Sequence, residues 1–249
     1  MLRVPESRRG STWVHEQLKA GATVRIRGPR NHFRFDETAK RAIFIAGGIG
    51  ITPIAAMARR ARLLGMDYEI HYSGRSRALM PLLEALVAEH GERLHVYAKD
   101  EGQRADLTAL LATPHDGVRI YACGPERMLS ALEACTAHWP DDALRIEHFQ
   151  TEPPTLDPSK EHAFEIELKD SGITLQVRAD QTILSALKGA NIDVQSDCCE
   201  GLCGSCETRV LSGAVDHRDV VLTRGERDAQ DRMMVCCSRA AGDKLVLEL

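Results

Sequence analysis

The nine residues Cys198-Cys199-Glu200-Gly201-Leu202-Cys203-Gly204-Ser205-Cys206 hold four of the chain's eight cysteines. Read from Cys198 they give C-x4-C-x2-C, and Cys236 follows 30 residues after Cys206. Three thiols on one tight loop with a distant fourth is the plant-type ligand pattern for a [2Fe–2S] cluster. A loop folded closely around such a cluster aims amide N–H groups at its sulfurs. Gly201 and Gly204 supply the backbone freedom this needs, because glycine reaches positive φ without a steric penalty. The competing reading is a structural zinc site, although zinc usually takes two short C-x2-C-like hooks. Cys199 and Cys237 each adjoin a proposed ligand, and Cys135 lies in a helical stretch; these three read as small, buried hydrophobes.

A second stretch able to do chemistry is Gly47-Gly48-Ile49-Gly50-Ile51-Thr52-Pro53. It follows the apolar run Ala42-Ile43-Phe44-Ile45-Ala46, which reads as a strand buried on both faces. Glycines at a strand-to-helix turn let backbone approach a pyrophosphate, and the helix N-terminus favours negative charge. The same turn also serves as a packing device in any α/β sheet. It is not the G-x-G-x-x-G fingerprint, and no acidic residue follows the second strand to hold a ribose. Ser73-Gly74-Arg75-Ser76-Arg77 stands there instead, where Arg75 and Arg77 are either 2′-phosphate ligands or solvated surface. Cys123-Gly124-Pro125 ends a later strand and reads as a turn or as a site at the same sheet edge.

The elements that must position these groups are legible around them. Strands are expected at Ala42–Ala46, Tyr68–Tyr72, Leu94–Ala98, Val118–Ala122 and Leu144–Glu147. Helices are expected from Ile54 to Leu64, around Leu79 to Val87, and from Arg127 to Ala137. Repeated strand and helix predict an open parallel sheet covered on both faces. Gln150 to Glu161, with Pro153, Pro154 and Pro158, reads as a stiffened linker. Beyond it, Phe164–Leu168 and Ile173–Val177 predict a hairpin across Asp170-Ser171-Gly172, followed by a helix over Thr182–Ala190 and strands at Thr208–Leu211 and Leu245–Leu247. That succession describes a small β-grasp. Residues 1–36 offer only a short helix capped by Ser11 and a strand at Thr23–Arg27, closed by Gly28-Pro29. One strand and one helix cannot bury a core of their own.

Composition narrows the function classes. The 249 residues carry a net charge of -4 with 43% hydrophobic residues, which predicts a globular chain and argues against a general nucleic-acid binder. No apolar run reaches the roughly 18 residues of a membrane span, and the start lacks the apolar core of a secretory signal. A cytoplasmic location is the expectation. The ten histidines, at 15, 32, 71, 90, 95, 115, 138, 148, 162 and 217, form no metal-ligand spacing along the sequence.

Taken together, the glycine turn Gly47–Pro53, Cys123-Gly124-Pro125 and the C-terminal cysteines resemble the phthalate dioxygenase reductase family, which includes reductase subunits of vanillate O-demethylases. Gly28-Pro29-Arg30-Asn31-His32-Phe33, Asp216-His217-Arg218-Asp219 and Met234-Val235-Cys236-Cys237-Ser238-Arg239-Ala240 match as well. The resemblance implies an FMN barrel, a nicotinamide-binding α/β domain and a ferredoxin domain, in that order. On this chain it implies a barrel remnant over 1–36, a nucleotide domain over 37–150, a linker over 151–162 and a ferredoxin domain over 163–249. Family members begin with a further segment containing R-x-Y-S, which is absent from these residues and is the reason a remnant is expected.

Position by position, the resemblance makes Cys198, Cys203, Cys206 and Cys236 the cluster ligands. Gly47, Gly48, Gly50 and Pro53 would face the nucleotide, with Cys123, Gly124 and Pro125 near the nicotinamide. Thr52 would lie where flavin and nicotinamide meet, so that Thr52 and Cys123 take the catalytic positions. Phe149 matches an aromatic that packs on the flavin, and Arg8-Arg9-Gly10-Ser11 resembles a flavin-phosphate loop. The implied activity is electron transfer from NADH, or NADPH, through FMN and the cluster to a Rieske-type oxygenase of aromatic catabolism. Plant-type clusters near about -400 mV would pass electrons downhill to Rieske centres at about -150 to +300 mV. The alternative is a one-electron ferredoxin-type carrier without flavin-dependent activity of its own.

Overall fold

The computed structural model describes residues 10–26, 31–149 and 156–249, with Gly10 and Ser11 described by their backbone alone. The chain divides into two compact units, the first ending at Asn31 and the second spanning His32–Leu249. In the first unit, α1 spans Gly10–Gln17. Ser11 therefore lies inside the helix rather than capping it. Residues 22–26 form no strand, and Val24 and Ile26 are exposed, Ile26 at 80%. A lone extended segment has no ladder to join among the described residues of this unit, so alternation alone does not make it a strand. Arg27, Gly28, Pro29, Arg8 and Arg9 lie outside the described residues.

The second unit opens with a five-stranded parallel sheet: β1 Arg41–Gly47, β2 Asp67–Gly74, β3 Leu94–Ala98, β4 Val118–Cys123 and β5 Leu144–Glu147, in the order β3-β2-β1-β4-β5. Because all five run parallel, Gly47, Gly74, Ala98, Cys123 and Glu147 emerge at one edge. Strand order reverses between β1 and β4, the switch point where open α/β sheets bind ligands. β1 is buried along six of its seven residues, as its continuous apolar run requires. One face packs on α2 (Ile51–Leu63) and α3 (Leu83–His90) through Phe44, Ile70, Tyr72 and Ile54. The other packs on α4 (Leu107–Leu110) and α5 (Glu126–Cys135) through Ile43, Ile45, Ile120 and Leu132.

The helix expected around Leu79 instead begins at Leu83. Pro81 pushes the preceding Met80 into extended backbone (φ -95°, ψ 106°), which ends a 3₁₀ turn over Arg77–Leu79.

The C-terminal half forms β6 Phe164–Leu168, β7 Ile173–Val177, α6 Ile183–Gly189, β8 Glu207–Ser212, β9 Val215–Asp216, α7 Arg224–Ala229, β10 Arg232–Met234, β11 Arg239–Ala240 and β12 Lys244–Leu247. Its main sheet runs β10-β8-β12-β6-β7, with β12 parallel to β6 and the hairpin β6–β7 antiparallel. Thr182 caps α6 by accepting the Ser185 amide at 3.1 Å, as its place before the apolar run implies. Ile183, Leu184 and Leu187 then pack on Ile166, Leu245 and Met233. Between α6 and β8 lies the cysteine loop.

Candidate functional site

The four proposed ligands fall into two pairs. The Cys198 amide donates to Cys203 Sγ at 3.5 Å, and the thiols of Cys206 and Cys236 are hydrogen-bonded to one another. A single zinc ion with sulfurs at about 2.3 Å would need all four within about 3.8 Å. Two thiol pairs suit two irons instead. Glu200 and Leu202 point their amides at Cys198 Sγ, at 3.3 and 3.4 Å, which is the donor pattern that tunes cluster potentials. Burial opposes ionisation of Cys203, yet its hydrogen bonds, from its thiol to Ser205 Oγ at 3.2 Å and from the Cys198 amide, accompany a thiol brought down to about 7. Ser205 in turn donates to Asp197.

The loop's two glycines carry it. Gly201 has φ +73°, and a Cβ there would meet Cys237 Sγ at 2.7 Å and Asp219 Cα at 3.0 Å. Gly204 has φ +64°, and a Cβ there would collide with the imidazole of His32. Cys199 takes φ +58° and is exposed, while Cys237 is 1% exposed behind the loop. Cys199 is thus turned out of the loop, whereas Cys237 packs against Gly201 with its thiol hydrogen-bonded to that of Cys236.

Behind the loop stands Asp219, 2% exposed, whose carboxylate accepts the amides of Val221 and Leu222 at 3.0 and 2.9 Å. The Val220 amide donates to the Gly201 carbonyl at 3.1 Å and ties this turn to the loop. A buried arginine closes the domain: Arg239 donates to the carbonyls of Gln181 and His162 and pairs with Glu161 at 2.9 Å. Both Asp219 and Arg239 lie in stretches the resemblance had matched without assigning them a job.

At the sheet edge, the glycine turn and the Cys-Gly-Pro turn pack backbone against backbone. A Cβ on Gly47 would lie 2.6 Å from Pro125 Cδ, one on Gly124 would meet Gly47 N at 3.0 Å, and one on Gly50 would strike the Cys123 carbonyl. Three of the four glycines are therefore packing devices that let the turns meet. Gly48 differs: it has φ +56° with open space before it. Tyr72, fully buried, donates its hydroxyl to the Gly48 carbonyl at 3.1 Å and holds that turn. Thr52 Oγ1 donates to the Ile49 carbonyl at 3.0 Å, and Pro53 sits in the first turn of α2.

A cleft of about 730 Å³ opens beside Gly48, lined by Ser73, Arg75, Lys99, Arg104 and Arg127. Among the described residues none of these four cations makes an ion pair. Arg77, by contrast, is tied to Glu101 at 2.9 Å and does not line the cleft. An unpaired cationic rim around a glycine turn suits the phosphates of a dinucleotide. Sequence spacing could not show that Lys99 and Arg104, from the segment between β3 and α4, meet Arg127 from the first turn of α5.

Cys123 ends β4 opposite Glu147 and is 1% exposed; burial, then the Glu147 charge, push its thiol up to about 12. It is a neutral thiol, not a nucleophile. Phe149 is 46% exposed just past β5. Gly10 and Ser11 belong to α1, and their side chains lie outside the described residues.

Comparison with known proteins agrees with this arrangement. Residues 166–241 match the 2Fe-2S iron-sulfur cluster binding domain, and residues 22–142 match the N-terminal domain of dimethylamine monooxygenase subunit DmmA-like proteins. The chain is 44% identical to phenoxybenzoate dioxygenase subunit beta of Ectopseudomonas oleovorans over 99% of its own length and 76% of that protein's. It is similar to an intact type IV self-sufficient cytochrome P450 monooxygenase, with 61% identity and a TM-score of 0.91, over all of this chain but only 32% of that one. It is also similar to phthalate dioxygenase reductase, described as a modular structure for electron transfer from pyridine nucleotides to [2Fe-2S], with 33% identity and a TM-score of 0.61 over 99% of this chain and 77% of that one. Among the described residues no helix is long and apolar enough to cross a membrane. With its thiol-paired cysteine loop, its glycine turn at the switch point and these similarities along its length, the chain belongs to the phthalate dioxygenase reductase family.

Proposed function

We propose that this chain is the reductase portion of an oxygenase system, taking electrons from a reduced nicotinamide nucleotide and handing them on one at a time. The observation that carries the reading is the pairing, in one chain, of a cation-rimmed cleft at a parallel-sheet switch point with a two-pair thiolate cage. Arg75, Lys99, Arg104 and Arg127 bind and orient the phosphates, and Gly48 lets backbone approach them. Gly47, Gly50, Gly124 and Pro125 hold the two turns together, so that neutral Cys123 lies at the edge where the nicotinamide ring is placed. A neutral thiol there offers a soft, uncharged neighbour that does not repel a hydride donor. Thr52 and Pro53 open the helix on the same edge, and Phe149 offers an exposed ring for the flavin to stack on. Gly10 and Ser11 are carried as flavin-phosphate contacts by the resemblance. Flavin, when bound, supplies the two-electron to one-electron conversion that a hydride donor and an iron–sulfur cluster require between them. Cys198 with Cys203, and Cys206 with Cys236, hold the cluster.

The acceptor is an oxygenase. A Rieske-type oxygenase is the reading the family resemblance favours. A haem monooxygenase, in the same polypeptide or a separate one, is favoured by the 61% identity to part of a self-sufficient cytochrome P450 monooxygenase. Iron and flavin counts with anaerobic NADH and NADPH titrations test the reductase reading. Bleaching of the cluster absorbance by either nucleotide supports it, and flavin-loaded, iron-loaded protein that neither nucleotide bleaches would refute it. Turnover with a haem or a Rieske acceptor then separates the two partners.

A further inference from the structure

The histidines show no ligand spacing in sequence, yet the fold gathers two of them with a carboxylate. Glu69 and His71 alternate onto one face of β2, and β3 pairs in register His71↔His95, so His95 arrives on the same face beside His71. Their rings stack at 4.8 Å with an interplanar angle of 19°. Glu69 Oε2 lies 3.5 Å from His71 Nε2 and 3.8 Å from His95 Nε2, and the three ligand atoms all fall within 4.8 Å of one another.

Four details mark this as more than an ion pair. The His71 side chain is 94% buried, and its Nε2 faces Glu69 Oε2 at 3.5 Å, a long contact without hydrogen-bond geometry, and has no other partner among the described residues. A buried polar atom left unpaired is costly, so such an atom needs an occupant. His71 Nδ1 is within 3.0 Å of the Tyr97 hydroxyl. If Nδ1–H donates to that oxygen, the Nε2 lone pair is directed toward Glu69, the outer partner that metal-bound histidines usually have. Arg41 binds Glu69 Oε1 at 2.8 Å, which orients the carboxylate and leaves Oε2 open. His95 is 44% exposed and can move inward, since tetrahedral ligands at about 2.0–2.1 Å sit about 3.3 Å apart.

We propose that Glu69, His71 and His95 form a site for a divalent transition metal of the zinc class, separate from the cysteine loop. Two imidazoles and one carboxylate are the ligand types that such ions take, with a fourth position left to water. Tyr97, the outer partner of His71, also lines the nucleotide cleft, so the site adjoins it.

Zinc titration by calorimetry into cluster-loaded protein tests this. The expected result is one saturable zinc per chain, weakened at least tenfold in His95→Ala and in Glu69→Gln and unchanged in Cys199→Ser. His95 is partly exposed, so its removal should leave the fold intact, and unchanged cluster absorbance in each variant checks that. No saturable binding, or binding that survives His95→Ala and Glu69→Gln but is lost in Cys199→Ser, would overturn the proposal.

Discussion

The imidazole of His32 lies against Gly204 in the cysteine loop, filling the space a Cβ would need. Gly204 also holds φ +64°, a backbone region that costs an ordinary L-residue about 1–2 kcal/mol. Gly204→Ala therefore meets two penalties at once, strain and collision. Its expected outcome is a marked loss of bound iron and visible absorbance in purified protein. Gly242→Ala, with open space before it, should keep both.

The two cysteine neighbours separate ligand from bystander. Cys206→Ser should abolish the cluster absorbance, since it removes half of a thiol pair. Cys199→Ser should leave the spectrum and iron content unchanged, because that side chain is exposed away from the pairs. A cluster lost in Cys199→Ser and kept in Cys206→Ser would contradict the register.

Cleft cations should act on nucleotide binding alone. A charged hydrogen bond contributes about 1.5–3 kcal/mol, so Arg104→Ala or Arg127→Ala should raise the nucleotide Kd roughly 10- to 150-fold. Iron content should not change. Arg77→Ala, whose guanidinium is tied to Glu101, should change Kd less than either.

Cys123 should behave as an uncharged thiol. With its thiol pushed up to about 12, chiefly by burial, it stays protonated in folded protein throughout pH 6–9. Iodoacetamide at pH 8 should modify Cys199 rapidly and leave Cys123 untouched until the protein is denatured, read by peptide mass. The sign of the linkage follows. The unfolded thiol ionises near 9, so stability attached to the neutral form is complete below pH 9 and falls as pH rises toward 12.

Glu161 neutralises two arginines, Arg218 at 2.6 Å and buried Arg239 at 2.9 Å. Its carboxyl is held below the usual range, first by the Arg218 hydrogen bond. That stability is present above the ordinary carboxylate pKa and is lost as pH falls through the lowered one. Glu161→Gln leaves Arg239 buried without its counter-charge, and breaking such a pair costs about 3–5 kcal/mol. Denaturant unfolding of cluster-loaded protein should show a loss of that order at pH 7, shrinking as pH falls through the lowered Glu161 carboxyl.

Residues close in sequence were legible because their geometry is local. The register of Cys198, Cys203 and Cys206 is set by a nine-residue loop, and β1 was recognisable because a strand buried on both faces must be apolar throughout. Thr182 announced α6 for the same reason. Local pattern misled where no partner strand stands among the described residues, as at 23–26, or where one proline redirected the chain, as at Pro81. What only tertiary structure decided are meetings between distant residues. Parallel pairing put Arg75, Lys99 and Arg104 around one cleft and brought His95 beside His71, 24 positions away. It also showed that Gly47, Gly50 and Gly124 serve contact between turns, while Gly48 faces open space. Side-chain chemistry and spacing along the chain name the ligands of a single loop. Which side chains share a cleft depends on strand order and register, and those are set by long-range pairing that no short window of sequence contains.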